Sequence, residues 1–233
     1  MNIEKTYYMK LMNYKCAENV LEVAKALKKK YKDFAHYNKK NPLDELIFII
    51  CSIKRQEQVY LASYKALKEK FPSHRNLLEA PVEEIIQVLS SAGLQNQKAS
   101  MIKNVLSSIT AEFGQPTLSP LKTMSDSECE AFLTGLPGIG KKVARCVMLY
   151  SLGRQVFPVD TNCWRISQRL GWVTWSNKMN IKSTDMDLLQ AKISPAARFS
   201  LHVNMVAHGR LICREQEPLC SKCCISKYCL LTR

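Results

Sequence analysis

Apolar residues recur every three or four positions along almost the whole chain, the spacing that gives an α-helix one buried face. Cys16, Val20, Val23, Ala24 and Leu27 form one such stripe. Lys25, Lys28, Lys29 and Lys30 lie opposite it or trail at the end where a helix dipole favours cations. A second stripe starts at Pro42, a residue suited to a helix start, and continues through Leu43, Leu46, Ile47, Ile50 and Cys51. Its run LIFIICSI is apolar on nearly every side and predicts a helix buried at the centre of a domain. Further stripes predict helices over residues 57–70, 82–92, 97–113, 126–134, 141–152, 162–171, 185–193 and 196–212. Pro81 suits a first helical position, followed by Glu83 and Glu84, and Ser125 with Glu128 reads as a capping box. No segment alternates cleanly between turn signals, so the expected class is all-α. The longest aperiodic stretches, 113–123 and 171–184, are short, and no repeat is visible.

Composition narrows the function classes. The 233 residues make one or two domains with ample material for a core, and 46% hydrophobic content excludes a disordered tail protein. No apolar stretch reaches the roughly 18 residues of a membrane span. The N-terminus lacks the apolar region of a secretory signal, so the chain is expected in the cytoplasm or nucleoid (the nucleus in a eukaryote) and not secreted. There its 10 cysteines are reduced or metal-bound. A formal net charge of +14 points to a polyanionic partner.

Two segments carry candidate chemistry. Cys213, Cys220, Cys223 and Cys229 fall close together near the C-terminus, with gaps of six, two and five residues. Four such cysteines read as ligands of an iron–sulfur cluster or of zinc, or as an incidental grouping; the single Cys-x2-Cys pair and the staggered gaps favour the cluster. Cys224 is off the pattern. Arg214 and Lys222 flank the loop as candidate phosphate contacts or as charges that offset the cluster. The second segment, Leu136-Pro137-Gly138-Ile139-Gly140-Lys141-Lys142-Val143-Ala144, places Gly-x-Gly in a tight turn before a new helix. Its glycines permit positive φ and close approach of a ligand, and helix-start N–H groups favour a phosphate oxygen. Lys141 reads as a phosphate contact; Lys142 reads as that or as an amine nucleophile at a sugar carbon. Downstream, Asp160 in Phe157-Pro158-Val159-Asp160-Thr161-Asn162 is either a helix cap or a carboxylate aimed at positive charge on a sugar.

Together these segments resemble the endonuclease III branch of the helix-hairpin-helix DNA glycosylases, whose pattern is L-P-G-x-G-x-K-x-A, V-D-T, H-G-R and C-x6-C-x2-C-x5-C. The chain has Leu136 to Ala144, Val159-Asp160-Thr161, His208-Gly209-Arg210 and the cysteine array in that order. The resemblance covers residues 14–233. It implies a six-helix barrel domain (41–155, with the hairpin at 127–150) and a discontinuous cluster domain (1–40 and 156–233), with a DNA-binding groove between. It implies a [4Fe-4S] cluster on Cys213, Cys220, Cys223 and Cys229. It makes Lys142 the nucleophile at C1′, Asp160 its assisting carboxylate, and Gly138 and Gly140 the phosphate-gripping hairpin. The implied partner is double-stranded DNA holding a damaged, modified or mismatched base, bound by a monomer without a membrane. The implied activity is base-excision repair by a bifunctional N-glycosylase/AP lyase, with an oxidised pyrimidine as the first expected substrate.

The chain departs from that pattern at Ser52-Ile53-Lys54-Arg55-Gln56-Glu57, where the family has S-x-Q-x-x-D and its Gln fills the space of the flipped base. In an ungapped match Lys54 takes the Gln position, a small shift places Gln56 there instead, and Glu57 takes the Asp position; Lys54, Arg55 and Gln56 are the candidate DNA contacts there. The run from Phe157 to Val173 is similar to the cores of plant 5-methylcytosine glycosylases. Three alternatives therefore stand beside the first reading: removal of 5-methylcytosine or of T or U opposite G, a monofunctional glycosylase, and a non-enzymatic redox-sensing DNA-binding protein.

Overall fold

The computed structural model describes residues 19–174 and 181–232, and its regular elements are all helical. They are α1 (Val20–Tyr31), α2 (Pro42–Ser52), α3 (Glu57–Lys70), α4 (His74–Glu79), α5 (Val82–Val88), α6 (Gln95–Phe113), α7 (Asp126–Gly135), α8 (Lys141–Ser151), α9 (Thr161–Arg169), α10 (Ser183–Ala191) and α11 (Pro195–Leu211). Short 3-10 turns follow at Ser90–Ala92, Ser119–Lys122, Cys220–Lys222 and Ser226–Tyr228. Among the described residues no helix is long and apolar enough to cross a membrane. Cys16 and Trp175 lie outside the described residues.

The chain divides into two compact units, Asn38–Arg154 and Met1–Tyr37 with Gln155–Arg233. In the first, α2 is the centre: Leu43 and the run from Glu45 to Cys51 are buried, and α3, α6 and α8 pack around it. Asn41 starts this helix, its side chain accepting from Leu43 N at 2.9 Å and Asp44 N at 3.1 Å. Glu45 is an ionisable group fully buried in this core. Its carboxylate accepts from Asn38 Nδ2 and Lys39 N, both at 2.6 Å. Those bonds tie Asn38 and Lys39, where the unit begins, to α2. Burial pushes the Glu45 carboxyl above its ordinary range, against these donors and the nearby charge of Lys142.

The second unit packs α11 against α1 and α9. Val23, Leu27, Phe157, Ile166, Leu189, Leu201 and Met205 fill its core. Trp172 is 2% exposed and donates to Asn19 Oδ1 at 2.7 Å, so it belongs to the core. Trp164 packs half-buried against the same cluster.

Local signals behave as their chemistry dictates, with two differences. The Ser125–Glu128 capping box forms. Pro81 is the residue before the helix Val82–Val88 and not its first helical residue. The short helix α4 was not visible as a stripe: six residues cannot show a helical period, and the Ser73–Asn76 box starts it instead.

Candidate functional site

The hairpin between α7 and α8 is held from inside and open outside. Leu136 and Ile139 are buried, while Pro137, Gly138 and Gly140 are exposed. Ile139 N donates to Leu136 O at 3.1 Å and closes the turn. Gly138 has φ +77°, and a Cβ there would stand 2.6 Å from Met101 Cε. Gly140, by contrast, has φ −92° and would admit a Cβ, so the left-handed requirement expected of both glycines holds for Gly138 alone. Lys141 and Lys142 open α8. Lys141 Nζ pairs with Glu130 Oε1 at 3.3 Å, and Arg145 Nε takes Glu130 Oε2 at 2.6 Å, which fixes α8 on α7. Lys142 is half-buried and close enough to Glu45 for its charge to act there.

In the same unit two loops are bolted together. Arg55 Nε donates to Ala92 O at 2.6 Å, and Lys98 Nζ, on a side chain 2% exposed, donates to Ala92 O at 2.9 Å and Cys51 O at 2.7 Å. Arg55 fills the space beside Gly93, where a Cβ would lie 1.2 Å from its Nη2. Each loop presents one strained residue: Lys54 at φ +51° and Leu94 at φ +54°. Lys54, Arg55 and Gln56 are exposed. Leu94 is 40% exposed, a large apolar side chain that the stripe pattern did not single out. Its signal was local: an apolar residue after Gly93, just outside the stripe of α6.

In the other unit, Asp160 caps α9. Its Oδ1 accepts from Cys163 N at 2.7 Å, and its Oδ2 accepts from Asn162 Nδ2 at 3.0 Å. Arg165 Nη2 donates to Asn162 Oδ1 at 2.8 Å and Gly209 O at 3.0 Å, and its Nε donates to Cys213 O at 2.9 Å. The glycine of His208-Gly209-Arg210 thereby acquires a reason: a Cβ at Gly209 would sit 2.6 Å from Asn162 Cβ.

Cys213, Cys220, Cys223 and Cys229 line one small cavity that is partly open to solvent, with Arg169 and Ile212 also on its wall. Cys224 is not on that wall. Arg169 Nη1 donates to Cys213 Sγ at 3.1 Å, and its Nε is buried with no partner. Burial, joined by the neighbouring Cys213, Cys224 and Cys229, pushes the Cys223 thiol up to about 11. Among the described residues no three side chains of His, Cys, Asp or Glu are gathered closely enough to hold a single metal ion. Arg214 and Lys222 are exposed beside the cavity loop.

Residues 47–190 match the HhH-GPD superfamily, described as base excision DNA repair proteins. The chain is 35% identical over 153 residues to endonuclease III of Sulfolobus acidocaldarius, covering 64% of this chain and 63% of that one. It is 27% identical over 166 residues to the DNA glycosylase/AP lyase ROS1 of Arabidopsis thaliana, covering 64% of this chain and 12% of ROS1. The chain thus spans less than two thirds of either relative. A solved structure of a trapped endonuclease III–DNA covalent intermediate has the same fold, with a TM-score of 0.78 at 24% identity over 92% of this chain and 95% of that one.

Proposed function

This chain belongs to the HhH-GPD superfamily of base excision DNA repair proteins, and on that premise we propose that it is a bifunctional DNA N-glycosylase and AP lyase. Its substrate is double-stranded DNA with a damaged base, an oxidised pyrimidine in the first instance. The observation that carries the reading is Lys142, an amine in the first turn of α8 directly behind an exposed Gly138–Gly140 hairpin.

The reaction assigns each residue one task. The target base leaves the stack at a cost of a few kcal/mol, least for a damaged or mismatched base. Leu94 is suited to fill the space it vacates, since an exposed apolar wedge replaces lost stacking, and Lys54, Arg55 and Gln56 stand on the adjoining loop. As the glycosidic bond breaks and the base departs with the bonding electrons, the Asp160 carboxylate favours positive charge on the sugar. Lys142 Nζ, having given up a proton, forms a bond to C1′. The nitrogen lone pair then opens the sugar ring, breaking C1′–O4′ while O4′ takes a proton, and the resulting protonated imine acidifies the C2′ hydrogen. Removal of that proton expels the 3′ phosphate oxygen and cuts the strand, and water then hydrolyses the imine to release Lys142. Gly138, Gly140 and Lys141 hold backbone phosphates beside the reacting nucleotide, with Arg214 and Lys222 as further contacts.

The four cavity cysteines fit a [4Fe-4S] cluster: the donors are all thiols, they surround a volume instead of a point, and Arg169 offers a buried cation to one of them. When bound, such a cluster supplies iron–thiolate links that tie the segment Cys213 to Cys229 into one unit.

The test is borohydride trapping on a duplex with one abasic site, with strand cleavage read before alkali. The parent protein is expected to form a covalent adduct and Lys142→Ala to form none; an adduct of equal yield in the variant overturns the assignment. The same assay on thymine glycol, dihydrouracil, 5-methylcytosine and T opposite G reads the base. The similarity to ROS1 and Lys54 in place of the family Gln favour a second reading, in which 5-methylcytosine or T opposite G is cut and oxidised pyrimidines are not.

A further inference from the structure

His208 lies fully buried in the last turn of α11, with both ring nitrogens engaged. Nε2 is 3.4 Å from Cys223 Sγ, and Nδ1 is 2.8 Å from Tyr31 Oη. The Tyr31 and His208 rings also meet edge to face, their centroids 5.8 Å apart at 69°. Tyr31 ends α1, and α1 packs along α11, so the contact is set by helix packing and not by a loop. Arg169, from α9, reaches a different thiol of the same cavity, Cys213. Two donors from two helices therefore address two of the four cysteines.

We propose that Tyr31 and His208 are positioning residues for the cluster site: Tyr31 fixes the imidazole tautomer so that His208 Nε2–H donates to the Cys223 thiolate and sets the reduction potential of the cluster. The inference rests on the cluster reading above. A metal-bound thiolate carries no proton and only accepts, so Nε2 must bear the hydrogen. In a neutral ring Nδ1 is then an acceptor, and the phenol O–H of Tyr31 is the donor it needs. Without that phenol Nδ1 loses its donor, and only the thiolate is left to favour Nε2–H over Nδ1–H. Donation to a ligating sulfur withdraws negative charge and stabilises the reduced cluster more than the oxidised one, so the bond raises the potential. Arg169 does the same at Cys213 without involving His208 or Tyr31.

Protein-film voltammetry on the cluster-loaded full chain tests this, after iron and sulfide analysis of every preparation. H208F is expected to shift the midpoint to more negative potential, and Y31F to shift it the same way by less. H208Q, whose amide nitrogen replaces Nε2–H, is expected to return the midpoint towards that of the parent. A residue that merely packs would change thermal stability and leave the potential alone. If H208F does not retain a cluster, Y31F, which loses one oxygen and keeps the ring, carries the test. Unchanged potential in loaded Y31F, with or without H208F, overturns the proposal and leaves the cluster reading standing. A parent protein without four irons and sulfide overturns the cluster reading first, and this inference with it.

Discussion

Asp160 does two things through separate oxygens, and substitutions can part them. Its Oδ1 caps α9 and its Oδ2 holds Asn162. Asparagine is as good an N-cap as aspartate, so Asp160→Asn is expected to change stability by less than about 0.5 kcal/mol. It removes the charge that the proposed mechanism sets against the developing cation, and strand cleavage in single turnover is expected to fall by roughly a hundredfold or more. Asp160→Ala should lose the same activity and about 1 kcal/mol of stability as well. Melting curves beside cleavage rates distinguish the two; equal loss of stability in both variants would show that the cap and not the charge is the point. Gly209 makes the complementary case. Gly209→Ala would drive a methyl against Asn162, and its expected cost is about 1–3 kcal/mol by thermal unfolding. The cap at Asp160 was legible because its partner is three residues away. The demand for glycine at 209 was not, because the crowding atom belongs to residue 162.

Between elements, charge and loops decide more than periodicity does. Asp44 in the first turn of α2 accepts from Lys68 Nζ of α3 at 3.1 Å and from His74 Nε2 at the start of α4 at 2.9 Å. Burial alone would raise its carboxyl, but hydrogen bonds from His74 and Lys68 outweigh it and hold the carboxyl down at about 2. Because the folded value lies below the unfolded one, the stability from Asp44 is whole above about pH 4 and is lost as pH falls through about 2. Acid unfolding of Asp44→Asn, followed by circular dichroism, is therefore expected to be flatter than that of the parent across this window; an identical slope would remove Asp44 from the account. The stripes located α1 to α3 and α5 to α11, where apolar residues recur at helical spacing. They could not locate α4, whose start depends on Ser73 and Asn76.

For the whole molecule, a net charge of +14 overstates the cationic surface open to the DNA partner proposed above. Arg198 donates to the carbonyls of Ile193, Gln155 and Gln190, and Arg154 to those of Leu121, Lys122 and Met124. Lys98, Lys103, Arg165, Arg169 and Lys192 also bind main-chain oxygens. These cations satisfy loop backbone that helices leave unpaired. Arg198→Met is expected to lower the melting temperature and leave the salt dependence of duplex binding unchanged. Lys222→Ala is expected to do the reverse, reducing the slope of log K against log salt by about 1. Fluorescence anisotropy over a salt series reads both, and interchanged results would mean that the structural and DNA-facing cations have been exchanged.

The amino-acid sequence by itself determined the all-helical class, most helix positions, the caps at Ser125 and Asp160, the turn at Gly138 and the grouping of four cysteines. Each depends on residues within a turn or a short loop of one another, and the chemistry of such neighbours is written in their spacing. Only the tertiary structure decided which distant groups meet. Tyr31 reaches His208 across 177 positions. Arg169 reaches Cys213, Arg55 and Lys98 share the Ala92 carbonyl, and Trp172 turns inward to Asn19. Periodicity states which face of a helix is buried, not which partner it is buried against. That choice comes from packing the faces together at close density, with every buried donor and acceptor satisfied as far as the fold allows.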